Sequence, residues 1–101
     1  MSKQELTFRE RAVIIECIEK YCSKDGSLHF YNSQIEDLEN IEKNKHIEDF
    51  CLMSLSNFYY FLVDYIKTFP YNQIDKFNLI IDLLKKIGLC ISNKINNLKN
   101  D

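Results

Sequence analysis

Three observations predict an all-α fold: few turn residues, two capping-box patterns ahead of amphipathic runs, and long apolar stripes at helical spacing in the second half. The 101 residues include only two glycines and one proline, too few for the tight turns of a β or α/β fold. Hydrophobic residues make up 46% and charged residues 28%, the balance of a packed domain rather than a disordered chain. A chain of this length builds one core. The expected architecture is a single helical domain over residues 1–101, with residues 1–6 and 99–101 frayed. It is a bundle of about four helices ending in a long C-terminal antiparallel helical hairpin.

Thr7 followed by Glu10 forms a capping box, so a first helix starts at Phe8. Ile14, Cys17, Ile18, Tyr21 and Cys22 share one face, and Arg9, Glu16 and Lys20 mark the wet one. Asp25-Gly26 stops this helix, with Gly26 supplying the positive φ of a C-cap. Ser27–Tyr31 alternates weakly and reads as a short extended stretch, too small to found a sheet. Ser33 with Glu36 repeats the capping box. The helix that follows carries a narrow stripe of Ile35, Leu38 and Ile41 among acidic residues, and Asn44 ends or kinks it.

Residues 46–69 read as one aromatic-rich helix. Ile47, Cys51, Leu55, Phe58, Leu62, Tyr65, Ile66 and Phe69 form a broad core face, and Leu52, Tyr59 and Val63 an adjacent second stripe. Ser56, Asn57, Tyr60, Asp64 and Lys67, with Met53 among them, define the polar strip. Pro70 ends the helix. Asn72 caps the last one, over residues 73–98, with Asp75 in its first turn. There Ile74, Phe77, Ile81, Leu84, Ile87, Ile91, Ile95 and Leu98 hold a near-heptad core stripe, with Leu79, Leu83 and Cys90 as a weaker second one. Gly88 within the main stripe suggests a close helix contact or a kink.

Charge divides unevenly. Residues 1–49 carry seven Lys and Arg against eleven Asp and Glu, and residues 50–101 six against four. An acidic front half does not suit a phosphate backbone, which is held by clustered cations. Cys17, Cys22, Cys51 and Cys90 form no CxxC pair and sit among apolar helical residues, as buried free thiols do. With no signal-peptide pattern at the N terminus, the expected location is a reducing cytoplasm. The abundance of Lys over Arg, and of Ile and Asn, points to an AT-rich coding sequence.

Motifs for chemistry fall short of their requirements. Placing Gly26 at the sixth position of a calcium loop puts Tyr21 first and Asn32 twelfth, where calcium needs carboxylates. Cys17 and Cys22 lie about 140° apart on a helix and cannot join His29, His46 or Cys51 round one zinc ion. No local signature pairs a cysteine with either histidine as nucleophile and base. Phe50–Ile66 approaches membrane-spanning length, but Ser54, Ser56, Asn57 and Asp64 interrupt it, so no membrane span is expected. The opening elements resemble the start of a winged helix–turn–helix, yet the exposed strip of residues 46–69 holds one Lys and one Asp.

The expectation is therefore no enzyme, metal or cofactor. The second stripes, Leu52, Tyr59 and Val63 together with Leu79 and Leu83, exceed what one small bundle buries, and such surplus marks a partner surface. A protein–protein interaction module follows, either a homodimer or an inhibitor, adaptor or immunity-type partner of a larger protein. In size, helicity and AT-rich source the chain resembles phage- and plasmid-encoded modulators and helical bacteriocin-immunity proteins as a class. The alternative expectation is a DNA-binding accessory or regulatory protein of helix–turn–helix type.

Overall fold

The structure, a computed structural model, describes residues 4–24, 26–70 and 72–99. Among them are four α-helices, two 3-10 turns and no strand. Helix α1 (Phe8–Cys22) starts as its sequence demands: Glu10 N donates to Thr7 Oγ1 at 3.2 Å, and Thr7 N donates to Glu10 Oε1 at 2.9 Å. Its inner face buries Val13, Ile14, Cys17, Ile18 and Cys22. Gly26 takes the left-handed conformation at φ 74, a region open to glycine at little cost. Asp25 lies outside the described residues.

Ser27–Tyr31 is a 3-10 turn rather than an extended stretch. Leu28 and Tyr31 both pack against the core; residues three apart eclipse in a 3-10 turn, whereas in an extended strand they point to opposite faces. The turn runs directly into α2 (Asn32–Glu39), whose N-cap position is Tyr31 and has no side-chain cap bond. Ser33 is thus already inside the helix, and its expected capping box does not form.

Residues 46–51 are not α-helical, which corrects the expected single helix over 46–69. A second 3-10 turn covers Ile47–Asp49, and α3 spans Leu52–Lys67. The cause is tertiary. Ile47 N donates to Gln4 O at 2.9 Å and Leu6 N to Lys45 O at 3.1 Å, so the backbone that an earlier helix start would use is committed to the N-terminal segment. Gln4–Leu6 is accordingly tied down, and Leu6 is buried, where a frayed end was expected. Helix α4 (Ile74–Lys99) opens with Phe77 N donating to Gln73 O at 3.0 Å, which places Gln73 rather than Asn72 at its cap. It continues through the Asn- and Lys-rich end to Lys99.

Helices α1, α3 and α4 enclose the core, with Phe58, Ile14, Ile18, Leu55 and Leu62 fully buried. Helix α4 faces it with Ile80, Leu83, Ile87 and Cys90; of the stripe expected from Ile74 to Leu98, Ile87 is fully buried and Leu84 and Ile91 pack partly against the core, while Ile74, Phe77, Ile95 and Leu98 are exposed. Burial of Ile80, Leu83 and Ile87 fixes this rotation. It also brings two lysines to α1: Lys76 Nζ meets Glu16 Oε2 at 2.7 Å and Lys86 Nζ meets Glu10 Oε2 at 2.9 Å. Packing between α3 and α4 pairs Phe69 with Phe77, ring centroids 6.2 Å apart, and Tyr59 with Gly88.

A buried cation adds a polar tether to the apolar packing of the front half. Arg11, 3% exposed, donates from Nε to Leu6 O at 2.9 Å, from Nη1 to Leu38 O at 2.8 Å, and from Nη2 to Asn44 O and to Lys45 O, the last at 3.3 Å. Asn44, also buried, donates its side-chain amide to Asp37 O at 3.1 Å. The guanidinium so closes the end of α2 and the following loop onto α1. Burial pulls its pKa down, and Glu5 and Glu10 oppose that.

Candidate interaction face

Tyr59 lies over Gly88: a Cβ at position 88 would meet Tyr59 Cε2 at 3.4 Å. That is an ordinary van der Waals distance, so the ring packs beside the α4 backbone at this point. This contact joins two stripes. On α3, Leu52 and Val63 lie within about 40° of the direction of Tyr59. On α4, Phe77, Ile81, Leu84 and Ile95 lie within about 40° of the direction of Gly88. Leu52, Val63, Ile81 and Leu84 are half-buried, whereas Tyr59, Phe77, Ile95 and especially Ile74, at 66%, are exposed. Including Gly88, the α4 positions 74, 77, 81, 84, 88, 91, 95 and 98 alternate steps of three and four, the spacing of a seam that meets another helix.

Three of the five sequence-predicted interface residues, Leu52, Tyr59 and Val63, thus belong to one face. The other two do not. Leu83 is 0% exposed within the core, which corrects its expected place on a surface. Leu79 turns towards α1 and lines a depression of about 440 Å³ with Phe8, Arg9, Ala12, Val13, Glu16 and Lys76. Sequence periodicity showed two stripes on α4 but could not say which of them α1 would cover, because the contacts between the two helices, such as Lys76–Glu16 and Lys86–Glu10, join residues 60 and 76 apart in the chain.

Groups able to do chemistry are dispersed and already engaged. Cys17, Cys22 and Cys90 are buried. Burial first, then Glu16, pushes the Cys17 thiol up to about 12, and burial raises Cys90. Cys51 is exposed at the head of α3, where hydrogen bonding with Ser54 lowers its pKa. His29 Nδ1 is 3.0 Å from Gly26 O, and His46 lies 3.7 Å from Asp49. On the α1–α4 flank, Tyr65 OH donates to Glu16, with Lys20 and Lys76 over its ring. Burial alone would lower the Lys76 pKa, but hydrogen bonds with Glu16 and Tyr65 raise it overall.

Among the described residues, no group of three or more His, Cys, Asp or Glu is placed to hold a metal ion. No helix there is long and apolar enough to cross a membrane. The buried Arg11 is the functional-looking side chain that sequence reading missed. An Arg among Phe8, Ile14, Ile15 and Ile18 gives no signal of its partners, which are backbone carbonyls 5 to 34 residues away in the chain. Comparison of the chain with protein-family models, with curated proteins and with solved structures found no match.

Proposed function

We propose that this protein is a small, non-enzymatic protein–protein interaction module that pairs with a second copy of itself through the outer face of an antiparallel α3–α4 hairpin. The hairpin reading rests on the order of contacts: Phe69 near the end of α3 meets Phe77 near the start of α4, while Tyr59 meets the later Gly88. The observation that carries the functional reading is the Tyr59–Gly88 contact, since it merges two half-stripes into one apolar face. That face is poor in charge, and its α4 edge has the three-four spacing of a helix-pairing seam. Such a surface is matched by its own copy in a two-fold pair, which needs one patch only.

Sedimentation velocity over a micromolar concentration series tests this directly. The wild-type chain is expected to dimerise. Ile74→Lys and Val63→Lys, both outside the fully buried core, are expected to shift it to monomer with unchanged helicity by circular dichroism. A strictly monomeric wild type at the highest concentration would sink the proposal.

A further inference from the structure

Gln4–Leu6 lies across three parts of the fold, and each of its carbonyl oxygens is held by a different one. Ile47 N, in the second 3-10 turn, donates to Gln4 O at 2.9 Å. Lys86 Nζ, from α4, donates to Glu5 O at 3.2 Å. Arg11 Nε, from α1, donates to Leu6 O at 2.9 Å. Leu6 N donates in return to Lys45 O at 3.1 Å, so that Glu5 and His46 stand opposite one another in an antiparallel bridge. Extended backbone held this way, strand to edge with side-chain donors on the outer carbonyls, is bound as a peptide ligand is bound.

Side-chain recognition rests on one residue. Leu6 is 2% exposed, whereas Gln4 and Glu5 are exposed. The edge therefore reads main chain and one aliphatic side chain, and is indifferent to the residues between. The fit is loosest at the outer end. Gln4 N reaches Glu48 Oε1 only at 3.4 Å, and among the described residues Glu48 Oε2 is buried without a hydrogen-bond partner. A short strap with one buried side chain opens more readily than the helices it crosses. Opening bares Ile47 N, Lys45 O and a dry slot, and an unpaired edge of this kind takes another strand.

We propose that this edge is a peptide-binding site held closed by the chain's own residues 4–6, and that its ligand is an extended segment of another chain with an aliphatic residue where Leu6 sits. The strap competes from within at an effective concentration on the order of millimolar, so the wild type refuses a peptide added in trans. Leu6→Ser empties the slot and loosens the strap. The probe is an acetylated, amidated peptide of residues 2–7, and the control is the same peptide with serine in place of its leucine. In NMR titrations to about 5 mM, near that effective concentration, the leucine peptide is expected to shift the amides of residues 45–48 in Leu6→Ser. It binds this variant about tenfold or more tighter than the wild type, since each 1.4 kcal/mol of lost competition is tenfold, and it restores hydrogen-exchange protection at Ile47. The serine peptide leaves these amides unmoved. Adding Lys86→Met weakens the peptide by about threefold or more, through loss of the bond to the second carbonyl. If Leu6→Ser is unfolded by circular dichroism, the milder Leu6→Val carries the same comparison. Ile74→Lys, on the hairpin face, leaves peptide binding unchanged even where it abolishes the dimer, so the two readings are separable. No response of residues 45–48 in the strap variants, equal response to both peptides, or a wild type that binds as tightly as the variants overturns the proposal.

Discussion

The two halves of this molecule are held together by different physics. Helices α3 and α4 meet through rings and branched aliphatics, from the Phe69–Phe77 contact to the Tyr59 ring over Gly88, and dispersion and burial stabilise them. Helix α2, eight residues long with Leu38 as its buried residue, is too short to hold its shape alone in water. It keeps its place because Arg11 and Asn44 bind its last carbonyls and those of the loop beyond. Apolar packing tolerates small rearrangements, whereas a polar tether fails as a unit when one member is removed.

Removing that tether is the sharpest way to expose the difference. Arg11→Met is expected to cost about 3–5 kcal/mol in chemical denaturation, since it strands several buried acceptors at once. Hydrogen exchange should show the loss in residues 38–47 first. Leu83→Ala, on the other side of the comparison, is expected to cost about 2–5 kcal/mol by leaving a cavity in the core. Leu79→Ala, on the half-buried flank, should cost clearly less. Equal losses at the two positions would mean that α4 is rotated from the orientation described.

Ionisation gives a subtler contrast. Cys17 holds its proton to about 12, against an ordinary value of 9.0, so the folded state binds that proton more tightly than the unfolded chain. Its contribution is intact below pH 9 and is expected to drain away as pH rises towards 12, seen as a falling denaturation midpoint. Cys51, exposed and with a lowered pKa, should be the first thiol alkylated by iodoacetamide at neutral pH. The buried three should react only on unfolding. The smallest effect is expected at position 88. Gly88→Ala gains helix propensity of roughly 0.5–1 kcal/mol, and the new methyl meets Tyr59 at an ordinary contact distance. A modest rise in thermal midpoint should follow.

How far the sequence could be read follows the same division. Periodicity located α1, most of α3 and α4, and the capping box at Thr7 and Glu10, because those features are written over three or four neighbouring residues. It joined residues 46–51 to α3 because nothing local reports that Gln4 and Leu6 pair with Ile47 and Lys45. It saw Leu52, Tyr59 and Val63 as a separate stripe, yet could not rotate α4 correctly. It also passed over Arg11 and the exposed ring of Phe8, whose surroundings are assembled from α2 and the loop after it.

The four carbonyls that receive the Arg11 guanidinium belong to residues 6, 38, 44 and 45. That charge is dry only while residues 38–45 lie folded back on α1. Opening the loop after α2 therefore uncovers the guanidinium and its carbonyls together, and the amides of this region are expected to share one opening reaction in hydrogen exchange.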